Sequence, residues 1–153
     1  MADQENGTGV LGERLGYLLK HAQLQLAAAT AEALRPVGLD GRELAVLAVL
    51  AAEYPLSQLE VAGRLGLDRT TMVAMLDTLE ARGLVERRRS AQDRRKNVVE
   101  LTEHGRHALD RGEDLRAEVE RAYLAPLSPA RAGALTDSLR AVVAAWKAPE
   151  RTP

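Results

Sequence analysis

From Val10 to Leu34 apolar residues recur at helical spacing, with Leu11, Leu15, Leu18 and Ala22 on one stripe as a single helix face requires. Leu19, Leu24 and Leu26 widen the apolar surface past that face. The pattern predicts a long first helix buried from more than one side, with a partner chain as one candidate cover. Pro36 and Gly38 end it. Asp40 and Glu43 then stand at the spacing of an N-terminal capping pair. The run they open, ELAVLAVLAAE, is apolar nearly all round, which predicts a central, buried helix. Tyr54-Pro55 breaks it.

The next stretch changes character. Ser57-Gln-Leu-Glu60 is a capping box, followed by a short helix with Leu59, Ala62 and Leu65 facing inward and Gly66 as its stop. Asp68 caps a longer helix that runs to about Arg82 and stops at Gly83. Met72, Met75, Leu76 and Leu79 form its inner stripe, and Thr70, Val73, Ala74 and Asp77 its outer face, with Arg69 at the shoulder. Leu84-Val85 and Val98–Leu101 read as short strands joined by the polar loop Ser90–Lys96. Thr102 caps a helix of about twenty residues with Ala108, Gly112, Leu115, Val119 and Ala122 on its stripe. Ser128 and Pro129 start a last helix, over 129–147, with Leu135, Leu139, Val142, Val143 and Trp146 on its stripe. Residues 1–8 and the tail APERTP read as loose ends.

The fold class is therefore mainly α, an α+β winged helix: six helices with a small two- to three-stranded wing sheet. The expected organisation is a single domain over 1–153, with the winged helix-turn-helix at about 40–101 and helices at about 10–35 and 103–147 forming a dimer frame.

Composition narrows the function. At 153 residues the chain suits one domain with a real core. Aromatics are 3% with no Phe, so Leu, Val and Ala must fill that core. No apolar run approaches the roughly 18–20 residues that span a bilayer, and the start MADQENGTG does not read as a signal peptide. The expected location is cytoplasmic, with no membrane partner. Cysteine is absent, which excludes disulfides, thiolate nucleophiles and thiol redox sensing. The net charge of -1 hides an asymmetry: from Arg64 to Lys96 nine Arg/Lys face five Asp/Glu, giving +4, while the remainder carries twelve against seventeen, giving −5. A basic segment in an acidic body suits local phosphate contact.

Three features point to double-stranded DNA. Arg69, Thr70 and Thr71 open the longer helix on the turn that would enter a major groove first. Ser57 and Gln58 begin the shorter one, where free backbone amides and the helix dipole suit a phosphate. Arg87, Arg88, Arg89, Arg94, Arg95 and Lys96 crowd one hairpin, and phosphate neutralisation is the main sequence-independent part of DNA affinity. A charge run alone is usually solvated surface. This one follows a capped helix-turn-helix, and the two signals agree.

The runs Leu65-Gly-Leu-Asp-Arg-Thr-Thr71, Leu79-Glu-Ala-Arg-Gly-Leu-Val-Glu-Arg87, Asp93-Arg-Arg95 and Leu101-Thr-Glu103 resemble the multiple antibiotic resistance regulator (MarR) family. The resemblance is close over about Leu44–Gly105, and the Asp-Arg-Arg of the wing is its specific mark. It implies a homodimeric, mostly helical repressor on a palindromic site, its dimer frame built from the first and last two helices. It further implies that Arg95 enters the minor groove with Asp93 helping to hold it. Small aromatic or phenolic acids would bind between frame and winged helix, where Tyr17, His21 and Arg42 are the candidate lining. One departure stands out: many relatives carry Thr-Arg where this chain has Val73-Ala74. Without that Arg a bidentate guanine contact is lost, whereas Val73 and Ala74 suit thymine methyl groups.

Other chemistry is thinly represented. His104 and His107 stand three apart on one helix near Glu103 and Asp110, a weak metal pattern without a thiolate, and no metal or cofactor is expected. There is no Gly-rich phosphate loop or nucleophile motif, so no enzyme is expected. The alternatives to a ligand-released repressor are a winged helix turned protein-interaction module and an activator without ligand response.

Overall fold

In the computed structural model, which describes residues 9–146, six α-helices and a two-stranded sheet follow one another. The loose ends expected at 1–8 and 148–153, and the last residue of the final helix, lie outside the described residues. The first helix begins later than its apolar spacing suggests. Gly9–Glu13 form a 3-10 turn, and Arg14 is extended (φ −86°, ψ 120°) with no side-chain cap before α1 (Leu15–Leu34). Gly9 and Gly12 lower helix propensity here, and an arginine cannot supply the oxygen that an N-cap needs. Gly38, at φ 67°, turns the chain after a short 3-10 segment.

From there the caps act as the sequence spells them. Asp40 and Glu43 make both halves of a capping box on α2 (Gly41–Ala52), which buries Leu44, Val46, Leu47 and Leu50. Ser57 and Glu60 do the same for α3 (Gln58–Leu65). Asp68 accepts from the Thr71 N–H to cap α4 (Arg69–Ala81), whose Met72, Leu76 and Leu79 are wholly buried. The inner face of α3 differs from expectation: Val61 and Ala62 are buried, Leu65 is half-buried, and Leu59 is 70% exposed. At about 100° per residue, Val61, Ala62 and Leu65 share one arc about 100° wide, and Leu59 falls about 110° from its centre.

The strands are longer than the sequence suggests. β1 (Val85–Arg89) pairs antiparallel with β2 (Asn97–Leu101) in the register Val85↔Leu101 to Arg89↔Asn97, so the arginine triplet belongs to the ladder. Leu56 adds a single bridge to Val99 in place of a third strand. Thr102 then donates its hydroxyl to the Gly83 carbonyl (2.6 Å) and accepts from the Gly105 N–H (2.9 Å), capping α5 (Glu103–Leu124). Gly105 is obligatory: a Cβ there would sit 1.9 Å from the Leu84 carbonyl oxygen. Gly112 is close-packed too, but against the tip of the Leu44 side chain, 2.5 Å from where its Cβ would stand, which can shift.

Two compact units divide inside α5, one up to Val119 and one from Glu120. The first holds the described core, centred on Leu34, Leu44, Leu47, Met72, Leu76 and Leu79. In the second, α6 (Pro129–Ala145), capped by Ser128, buries no residue. The stripe from Leu135 to Trp146 is exposed throughout, as are Leu11, Leu15, Leu18, Leu19 and Leu24 at the other end of the chain. No helix among the described residues is long and apolar enough to cross a membrane.

Candidate nucleic-acid interface

The two capped helix starts bring Ser57, Gln58, Arg69, Thr70, Val73 and Ala74, six of the predicted DNA-facing residues, around two adjoining recesses. Ser57, Gln58 and Leu59 of α3, Arg69 and Val73 of α4 and Asn97 of β2 line one notch of about 260 Å³. A second groove of about 330 Å³ on the other side of Val73 is lined by Arg69, Thr70, Val73, Ala74 and Asp77. The outer face of α4 is thus a low apolar ridge between two recesses, with Arg69 bordering both. Thr71 plays a different part: its hydroxyl donates to Asp68 (2.6 Å) and its N–H to the other carboxylate oxygen (2.9 Å). Those bonds hold the Asp68 carboxyl below the usual aspartate range. Glu60 is likewise lowered, first by the backbone N–H of Ser57 and then by its side chain. Both carboxylates are thereby kept charged at helix N-termini, where the dipole favours them.

Arg87 is committed to the interior of the motif. Its Nε donates to Gln58 (2.8 Å), one terminal nitrogen to Asp77 (2.5 Å) and the other to Glu80, and its backbone N–H also donates to Glu80 (3.1 Å). One half-buried guanidinium therefore ties α3, α4 and β1 together. This engages the Gln58 side chain as well. Arg88 leans over the ladder to Glu86 (2.6 Å) and Glu100 (2.8 Å). Arg69, Arg89, Arg94, Arg95 and Lys96 form no ion pair among the described residues. Within Arg64–Lys96 those five are the cations without an ion pair among the described residues.

At the wing tip the buried Ser90 accepts from the N–H groups of Gln92 and Asp93 (3.2 Å each), and Ser90 and Lys96 close the turn through backbone bonds. Asp93 accepts from the backbone N–H of Arg95 at 3.0 Å. It shapes the turn from which Arg95 projects, and no bond to the guanidinium is present.

A third recess, of about 580 Å³, lies between α1 and the start of α2, lined by Gln23, Leu26, Ala27, Thr30, Asp40, Gly41 and Arg42. Of the predicted effector residues only Arg42 lines it. Tyr17 and His21 sit nearer the start of α1, their rings 4.1 Å apart and tilted by 35°. His104 and His107 are exposed on α5, and no group of three metal-ligating side chains comes together among the described residues.

Leu59 and Asn97 escaped the sequence reading. The signal for Leu59 was available in the tighter arc of Val61, Ala62 and Leu65. Asn97 becomes visible only once the hairpin register places it beside α3.

Known proteins share this arrangement. The family model described as MarR family matches residues 37–96. A Thauera aromatica protein described as a transcriptional regulatory protein for the hcr operon is 33% identical over 138 residues, 86% of this chain and 80% of its own length. The solved structure of the transcriptional repressor CouR bound to a 23-mer DNA duplex superposes with a TM-score of 0.82 at 39% identity, covering 89% of this chain and 96% of CouR. CouR from Rhodococcus jostii RHA1 bound to p-coumaroyl-CoA gives 0.79 at 27% identity, over 92% and 99% of the two chains. With its capped helix pair, its arginine-bearing wing and relatives of matching length, this chain belongs to the MarR family of transcriptional regulators.

Proposed function

We propose that the protein is a repressor that binds a palindromic DNA site as a homodimer and leaves it when a small aromatic or phenolic ligand binds. The observation that carries the reading is the convergence of the α3 start, the exposed face of α4 and the base of the wing on one surface. Arg69, Arg89, Arg94, Arg95 and Lys96, from the same segment, form no ion pair among the described residues. In this reading α4 lies in the major groove, with Arg69, Thr70, Val73 and Ala74 toward base edges. The first turn of α3, at Ser57 and Gln58, meets a phosphate. Arg89, Arg94 and Lys96 add phosphate contacts, and Arg95 reaches the minor groove. Arg87 supports the surface from within, and Thr71 does so through its cap.

Residues 1–153 act as one MarR-type domain with 40–101 as the reading head. The leucines of the first helix and the α6 stripe supply the dimer interface, which is why they are exposed in a single chain. Two half-sites would lie about one helical turn apart, near 10 base pairs. The recess lined by Arg42 supports a ligand with a carboxylate or phosphate, since an arginine in the lining of a partly apolar recess suits an anionic aromatic molecule. CouR with its p-coumaroyl thioester is a relative of that kind. A regulator of this type works in the cytoplasm.

Selection of bound duplexes from a random pool tests the reading, followed by release assays with phenolic acids and their coenzyme A thioesters. A recovered palindrome released by one of these ligands is the expected result. Recovery of no duplex would remove the DNA assignment.

A further inference from the structure

Leu59 is out of place for a core residue. It is 70% exposed on the second residue of α3. Between Leu39 and Leu124 only Tyr54 shares its status as an exposed large apolar side chain among the described residues. An exposed leucine alone means little. This one lines the notch with Val73, and everything else around that notch is polar: Ser57, Gln58, Arg69 and Asn97. Lys96 adjoins Asn97 and bears on Glu60 of the same helix.

An apolar pair set among cationic and hydrogen-bonding neighbours does not suit the apolar side chain of a protein partner, which would have to desolvate Arg69. It suits a small apolar group carried on a polyanion. In double-stranded DNA that group is the 5-methyl of thymine, the one apolar feature of the major-groove edge. We infer that Leu59, together with Val73, forms a receptor for a thymine methyl group in each half-site, making α3 a contributor to base readout in addition to α4. The inference rests on the DNA-binding reading above.

The test replaces thymines of the duplex recovered by selection with deoxyuridine, one symmetric pair at a time, which removes only the methyl groups. Wild-type protein should lose about fourfold in affinity per half-site at one position, the worth of burying one methyl group. Leu59→Ala should bind the thymine duplex more weakly and show no response to deoxyuridine at that position, while Leu59→Met should retain the response. Because Leu59 is exposed, the variants should melt with the wild type, and melting curves check this. Equal deoxyuridine responses in wild type and Leu59→Ala at every position would overturn the inference, as would a selected half-site with no sensitive thymine. In both cases the DNA-binding reading survives. If no duplex is recovered, both fall.

Discussion

Between Asp40 and Leu101, Leu44, Val46, Leu47, Leu50, Leu56, Val61, Met72, Leu76, Leu79, Leu84, Val85, Val98 and Val99 are all buried to within a few per cent. In α1 and α6 only Leu34 is buried, and the apolar stripe of α6 lies open from Leu135 to Trp146. Both regions are rich in leucine, valine and alanine, so composition does not separate them. The winged helix buries most of its apolar side chains in one core that also takes in Leu34 of α1 and Leu109 of α5, with sharp turns, close glycines and reciprocal caps. The terminal helices expose theirs, each along its own stripe, as helix faces that pack against a partner would. On the proposed reading, DNA recognition and assembly fall to different parts of the chain.

The largest effect expected from breaking this contrast comes from the open side. Removing residues 129–153, or substituting Leu139→Glu with Val143→Glu, should abolish the dimer in sedimentation at micromolar concentration and specific DNA binding with it. The winged helix should keep its circular dichroism. A persistent dimer would mean that the α6 stripe is not an interface.

Next comes the closed side. Gly105→Ala forces a Cβ to 1.9 Å from a backbone oxygen that cannot swing away. It should cost about 3 kcal/mol in denaturant unfolding, the upper part of the overpacking range. Gly63→Ala on α3 meets no atom within 4 Å and should instead stabilise by about 0.5–1 kcal/mol through helix propensity. Both are measured at one protein concentration, because dimerisation is linked to folding.

Within the wing the contrast narrows to two arginines. Arg87→Ala strands Asp77, Glu80 and Gln58 and should cost about 1–3 kcal/mol of stability. Arg95→Ala should leave stability within about 0.5 kcal/mol. It should weaken DNA binding by about 1–3 kcal/mol and lower the salt slope by about one. An unchanged salt slope would remove the wing tip from the interface.

The smallest effect is on pH dependence. The Asp68 carboxyl titrates below its ordinary value of 3.8 because Thr71 bonds its charged form. Its charge-dependent stabilisation is fully present above that pH and is lost as pH falls through the lowered value of the folded state. Asp68→Asn keeps a capping side chain and should flatten the unfolding profile in that acid window alone.

Much of this was legible because caps are local. Ser57 with Glu60, Asp40 with Glu43, and Asp68 with Thr71 lie three residues apart, and the physics that joins them needs nothing beyond one helical turn. The partner of an arginine is not local. Arg87 and Arg95 are chemically identical in sequence, and only the pairing of β1 with β2 and its placement on α4 decides that Arg87 meets Asp77 and Glu80. The same holds for the candidate effector residues. Tyr17 and His21 share a face of α1 with one another, whereas Arg42 shares its recess with Gln23, Leu26 and Thr30, one to three turns further along.

The wing tip is shaped by two short side chains, Ser90 and Asp93, and by backbone bonds. The side chains of Ala91, Gln92, Arg94 and Arg95 take no part in holding it. Shape and message are therefore encoded by different letters of the same seven-residue loop, Ser90 to Lys96. A lineage can rewrite the letters that the proposed reading turns toward DNA one at a time without losing the turn, and an engineer can exchange them as a cartridge between operators.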